Sequence, residues 1–311
     1  MIRITGFDFS ITYLHIMALQ AVTFRIRALT SLVFVAVMLT GILWNTWSFF
    51  ILFSIIHFGC WHEYQKLLAK IDPVYSAISP FQKYGVMLAG WCIMMFCARP
   101  GYGGDLGNTG LHNAGLFGGL LFLFILPVAE ILYSRKVYMR NMGYSAIGLI
   151  YISLSLGLLL NLRTFYPGTA AFLETVNKLL VLIIILSLWV NDTMAYLIGS
   201  LIGKTPLTKI SPKKTWEGTI GGIIFAVATM GAVGYYLSSE FEIKPAVQWM
   251  IVAAIAAIVG TVGDLIQSKL KRMARVKDSG RIMPGHGGFL DRFDSLLFAT
   301  PFIWLYIVMF A

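Results

Sequence analysis

An all-α, polytopic membrane fold follows from three features of this 311-residue chain. Hydrophobic residues make up 58% of it and charged residues only 12%, with a mean hydropathy of +0.78, a balance foreign to ordinary soluble domains. The apolar residues fall in runs near the about 20 residues that a spanning helix needs. The basic residues cluster in alternate connections between those runs. No strand pattern competes, and open sheet edges are not viable in lipid.

The sequence predicts nine transmembrane helices, over 29–47, 48–62, 82–98, 114–133, 141–162, 179–201, 217–237, 247–267 and 292–310. The first two are nearly continuous, so a tight hairpin and a count of eight is the alternative. With nine spans, all but four of the 24 Lys and Arg lie in the N-terminal tail and the even-numbered connections; the exceptions are Arg99, Arg163, Lys178 and Lys244. That side is the cytoplasm, where the N-terminus is expected. The net charge of +10 is read as this bias and as contact with anionic lipid, not as a nucleic-acid surface.

Residues 1–28 form a leader. Asp8 interrupts its apolar run and no clear small-residue cleavage site follows, so it is a poor signal peptide; Met17 is a second candidate start. Residues 29–175 are expected to form an N-terminal transmembrane module and 176–311 a C-terminal catalytic one. Cys60, Cys92 and Cys97 make no CxxC pair, which gives no sign of a metal cage or redox motif. The glycine-rich stretch 99–115 follows an expected helix rather than a strand, so it is an external loop and not a dinucleotide turn. The GxxxG spacing within 218–222 favours close helix packing.

Chemistry is concentrated in the acids that fall inside the spans. Asp192 lies within the sixth span, Asp264 near the cytoplasmic end of the eighth, and Asp291 and Asp294 at the start of the ninth. A charge at mid-membrane costs about 2.5–3.5 kcal/mol by insertion scales, so such groups face a polar cavity or a partner. Asp291 and Asp294 are three apart and share a helix face. For Asp192 alone, pairing with a nearby cation accounts equally well. For Asp264, Asp291 and Asp294 together, an oxygen-only donor set suits a hard cation, Mg²⁺ above all.

Before the last span, Lys269, Lys271, Arg272, Arg275, Lys277, Arg281 and Arg292 are interleaved with Asp278, Gly280, Pro284, Gly285, His286, Gly287 and Gly288. Topology alone accounts for the cations but does not require the PGHGG turn. Glycines let backbone N–H groups approach a phosphate, and Lys and Arg neutralise it. Metal, cations and exposed backbone together suit phosphoryl or nucleotidyl transfer. Residues 203–218 offer a second phosphate contact through Lys209, Lys213 and Lys214. Their Gly203-Lys204-Thr205 is not a P-loop, because Ile198 occupies the first glycine position and no strand precedes it. His15, His57, His62 and His112 are scattered and read as packing residues.

Residues 268–294, SKLKRMARVKDSGRIMPGHGGFLDRFD, resemble the signature of the phosphatidate cytidylyltransferases, also called CDP-diacylglycerol synthases. The fixed positions are met by Ser268, Lys271, Arg272, Lys277, Asp278, Gly280, His286, Gly287, Gly288, Asp291, Arg292 and Asp294. Residues 192–196, 211–218 and 263–265 look like further family segments, so the resemblance spans about 185–300. It implies that CTP and phosphatidic acid give CDP-diacylglycerol and pyrophosphate, with Mg²⁺ required and room for a second, monovalent cation. It also implies a metal centre on Asp264, Asp291 and Asp294. Lys271, Arg272, Lys277, Asp278, His286 and Asp291 would be catalytic. Ser268, Lys213, Lys214, Gly287, Gly288, Arg292 and Asp192 would bind substrate. The expected partners are CTP, phosphatidic acid and the lipid bilayer, with no nucleic acid and with a homodimer suggested by the family. The expected location is a bacterial inner membrane, with the site facing the cytoplasm.

Two other readings compete. A CTP-dependent lipid-alcohol kinase would transfer the γ-phosphate, but the full signature argues against it. A transporter would use Asp192 and Asp264 as pathway residues and leaves the glycine and lysine pattern unexplained. A CDP-alcohol phosphotransferase is set aside for want of its DGxxAR run.

Overall fold

A computed structural model describes residues 28–76, 78–98, 110–133, 138–165, 171–241, 246–280 and 287–310. Within these the chain is helical, with an isolated extended bridge between Pro206 and Thr215. The helices are α1 (Ala28–Leu43), α2 (Thr46–Ile71), α3 (Pro73–Ser76), α4 (Pro80–Cys97), α5 (Gly110–Tyr133), α6 (Met139–Gly148), α7 (Ser155–Leu162), α8 (Ala171–Ile202), α9 (Trp216–Phe241), α10 (Ala246–Met273) and α11 (Leu290–Phe310). A π-helical stretch, Leu149–Leu154, joins α6 to α7 without a break.

Among the described residues, six helices are long and apolar enough to cross a membrane: Gly110–Leu132, Met139–Leu162, Glu174–Ile202, Trp216–Leu237, Ala246–Met273 and Leu290–Phe310. The polytopic all-α class therefore holds, while the count of nine is not reached on that measure. The other three expected segments are helical as well, but α1 is shorter, and α2 carries His57, His62, Glu63, Gln65, Lys66 and Lys70 along its length.

The boundaries of α1 and α2 also differ from expectation. The segment expected over 29–47 stops at Leu43 because Asn45 starts a new helix. Its side chain accepts from Ser48 N–H at 2.7 Å while Ser48 Oγ accepts from Asn45 N–H at 3.1 Å, a reciprocal cap that satisfies two otherwise orphaned donors. From there α2 runs nine residues past the expected end at 62, as far as Ile71.

That extension shapes the molecule. Helices α8 to α11 pack on one another, α4 packs on α5, α7 and the π stretch, and α11 joins the two groups through α7. Helix α2 touches members of both groups, with Phe49, Phe53, Ile56, Trp61, Tyr64 and Leu67 buried along it. Because α8 to α11 are successive antiparallel neighbours, the ends of α8 and α10 and the starts of α9 and α11 meet at one end of the bundle. The C-terminal turns of α2 reach the same end.

Candidate active site

Two connections build the site, and each is held by a carboxylate. The first, between α8 and α9, is folded back on itself by the Leu207 N–H donating to Lys214 O (2.7 Å) and the Trp216 N–H donating to Thr205 O (3.0 Å). Glu217, in the first turn of α9, accepts from the N–H groups of Lys204 and Thr205, each at 3.2 Å. The result delivers Lys214 into an ion pair with Asp264 of α10.

The second connection, between α10 and α11, carries the signature. Helix α10 ends where Arg275 takes a left-handed φ of 55°. The Val276 N–H returns to Lys271 O at 3.0 Å, closing the last turn in a Schellman-like pattern. On α10, Asp264, Gln267, Ser268 and Lys271 are spaced three and four apart and form one stripe, with Ser268 Oγ donating to Asp264 Oδ1 at 3.3 Å. Lys271 Nζ then reaches Asp291 Oδ1 at 2.7 Å. Asp291 Oδ2 accepts from the N–H groups of Ser279 (2.8 Å) and Gly288 (3.1 Å). Gly287 sits at φ 85°, which favours glycine, and a Cβ there would press on Asp291 Oδ2.

Glu63 holds this loop from the other side, and the sequence reading overlooks it. Only 1% exposed, it lies in the extension of α2 that the expected boundary at 62 cut away. Its Oε2 accepts from Ser279 Oγ (2.6 Å) and the Leu290 N–H (2.9 Å), and its Oε1 from the Phe289 N–H (3.0 Å). Gly280 and Gly288 face the same carboxylate, and a Cβ on either would overlap it. The glycines expected to approach a phosphate thus make room for Glu63, and the Gly288 N–H is committed to Asp291. The available signal was an acid embedded in an aromatic-rich helix, WHEY at 61–64, where burial demands a partner.

Of the other expected site residues, Asp294 is buried at 6% exposure and its Oδ1 accepts from the Ser295 N–H at 2.7 Å. It faces Asp264 and Asp192 electrostatically, with Lys271 opposing them, while Asp192 also feels Lys214 and Arg292. Asp192, Asp291, Arg292 and Asp294 line one small cavity of about 110 Å³, roofed by Phe34 and Trp189. Lys213, Arg272, Lys277 and Asp278 are exposed at this end of the molecule, and Arg272 Nη1 donates to Val276 O at 3.3 Å. His286 lies outside the described residues.

Among the described residues no three His, Cys, Asp or Glu side chains form a ready metal cage; Lys214 pairs with Asp264 and Lys271 with Asp291. The donor chemistry nevertheless fits a hard divalent cation. Asp192, Asp264 and Asp294 oppose one another with oxygen ligands alone, and like charges at a part-buried site are what such an ion relieves.

The Cytidylyltransferase family matches residues 25–310. A phosphatidate cytidylyltransferase of Bacillus subtilis is 33% identical over 195 residues, 62% of this chain and 68% of that protein. The Synechocystis protein of that name is 38% identical over 159 residues, 50% of this chain and 52% of its own. One from Staphylococcus aureus is 40% identical over 146 residues, 45% of this chain and 54% of its own. The chain thus spans about half the length of the latter two. With a family match running from α1's approach to the end of α11, around a loop in which every described signature residue is placed, this chain belongs to the cytidylyltransferase family.

Proposed function

We infer that the chain transfers the cytidylyl group of CTP to phosphatidic acid, giving CDP-diacylglycerol and pyrophosphate, on the cytoplasmic side of a bacterial inner membrane. The observation that carries this reading is the meeting of Asp264, Asp291 and Asp294 with Lys214, Lys271 and Arg292 at one end of an apolar helical bundle. The names of the relatives supply the substrates, and the bias of Lys and Arg supports the cytoplasmic side.

In the reaction a lipid phosphate oxygen attacks the α-phosphorus of CTP. The new P–O bond forms as the bond from the α-phosphorus to the bridging oxygen breaks, and pyrophosphate leaves with that electron pair. The lipid phosphate is already an anion at neutral pH, so no side chain has to accept a proton. Lys271, Arg272 and Lys277 hold phosphate oxygens, with Lys213, Lys214, Arg292, Ser268 and His286 around them. Asp278 and the Gly287–Gly288 backbone keep that cradle in shape. Asp264, Asp291 and Asp294 would hold Mg²⁺, beside a monovalent cation, once Lys214 and Lys271 turn from the carboxylates to the phosphates. A bound Mg²⁺ supplies charge neutralisation at the triphosphate.

The test is a product assay in detergent with phosphatidic acid, Mg²⁺ and α-³²P-labelled CTP. Label entering the lipid phase with release of pyrophosphate is the expected result. No lipid-borne label from a folded sample overturns the reading, and transfer from γ-labelled CTP instead would assign a lipid kinase.

A further inference from the structure

A wide groove opens beside the α10 stripe and has no role in the account so far. It is about 660 Å³ and is lined by α2, α6, the π stretch, α7, α10 and α11, within the about 300–1,000 Å³ typical of ligand sites. Apart from the exposed Lys269, its rim is apolar: Ile147, Ile150, Ile266, Met273 and Phe302 are between 44% and 63% exposed. Such a rim suits acyl chains. The floor does not match it. Gln267 lines the groove, is 1% exposed, and neither its amide nitrogen nor its amide oxygen has a hydrogen-bond partner. The Tyr151 hydroxyl, on the π stretch that also lines the groove, is buried without a partner too. Pro301, on the α11 wall, has no N–H to offer the Leu297 carbonyl one turn earlier.

Unsatisfied polar groups facing hydrocarbon are costly, so this floor is built for a ligand that is apolar along most of its length and polar at one end. The π stretch adds to the case. Such stretches are rare and cluster at functional sites, and this one turns Ile150 and Tyr151 into the groove.

The groove is also continuous with the candidate site. Gln267 sits between Asp264 and Lys271 on one helix face, and Tyr151 lies within the electrostatic reach of Asp294 and Asp264. Two of the α11 residues that line it, Leu297 and Phe298, follow Asp294 by three and four positions.

Resting on the proposed function, we propose that this groove binds the glycerol ester and one acyl chain of the phosphatidic acid substrate. Gln267 and Tyr151 meet the ester oxygens, and the chain runs along Phe298, Pro301 and Phe302. The lipid phosphate is thereby presented at the level of Asp264 and Lys271.

Long-chain (dioleoyl) and short-chain (dihexanoyl) phosphatidic acid are compared in kinetics of the full chain. Ile150→Trp fills the groove from an exposed position. It is expected to lower the long-chain to short-chain ratio of kcat/KM by about tenfold or more. Gln267→Leu is expected to raise the KM for phosphatidic acid by about fivefold or more while the KM for CTP stays unchanged. Ile224→Trp, exposed on α9 away from the groove, leaves the ratio as in the wild type. An unchanged ratio in folded Ile150→Trp, or a parallel rise in the KM for CTP, overturns the proposal.

Photolabelling with phosphatidic acid bearing an acyl diazirine reads occupancy without turnover. Label at 147–155 and 297–302, competed by unlabelled phosphatidic acid, supports the groove even if the wild type makes no CDP-lipid, a result that would overturn only the reaction. Label spread evenly over lipid-facing helices, or competed equally by phosphatidylcholine, overturns the groove.

Discussion

Glu63 and Asp291 divide the work of holding the signature loop, one from α2 and one from α11. Glu63 satisfies three donors at 1% exposure, and a buried donor left unpaired costs about 1–3 kcal/mol. Glu63→Ala is therefore expected to lower the thermal midpoint in detergent and abolish turnover. Glu63→Gln, which keeps an acceptor oxygen, should fold and retain part of the activity; equal stability of the two variants would remove Glu63 from this role. Asp291→Asn weakens the link to Lys271 (2.7 Å) and removes a carboxylate from the proposed metal site. Its kcat/KM should fall by about 10²–10³, the cost of losing one group that stabilises transition-state charge, with the fold intact by circular dichroism. Wild-type activity in this variant would eliminate Asp291 from catalysis. Gly288→Ala tests the close approach of backbone to Glu63, because the added Cβ overlaps both carboxylate oxygens. It should behave like Glu63→Ala and not like a surface change.

At the scale of elements, the connection between α8 and α9 has no hydrophobic core of its own. It depends on Glu217, whose carboxylate gathers the N–H groups of Lys204 and Thr205, and on Gly199, Gly203 and Gly218 packing against Thr215. Glu217→Ala should leave the bundle folded yet release Lys214 from its post beside Asp264. The expected outcome is a several-fold rise in the KM for CTP, modest because the carboxylate is solvent-screened, with little change in the thermal midpoint. A large loss of stability instead would make Glu217 a core residue.

For the whole molecule, the proposed topology places the connections at 203–215 and 274–289 on the cytoplasmic side and Asp105 on the other. In a background lacking Cys60, Cys92 and Cys97, a membrane-impermeant thiol reagent applied to intact cells should label Asp105→Cys and spare Ser211→Cys until the membrane is permeabilised. The reverse pattern would invert the protein and move the site away from cytoplasmic CTP. The helical class was legible beforehand. Runs of apolar residues marked out the helices, and Asp192, Asp264, Asp291 and Asp294 stood out as acids where acids are costly. The span boundaries were less legible, since α1 and α2 are parted by a side-chain cap at Asn45 and not by any loss of hydrophobicity.

What the sequence determined by itself was class, family and the chemical types at the site. Hydropathy is a local property that lipid reads directly, and the signature is contiguous over 268–294. What only the tertiary structure decided was the pairing of groups far apart in the chain. Glu63 meets Ser279 across 216 positions, Lys214 meets Asp264, and Gln267 turns an unpartnered amide into a groove walled by α6, α7 and α11. Such partnerships follow from which helix faces pack together, and helix packing depends on the summed shape of many side chains. No single stretch of sequence carries that information.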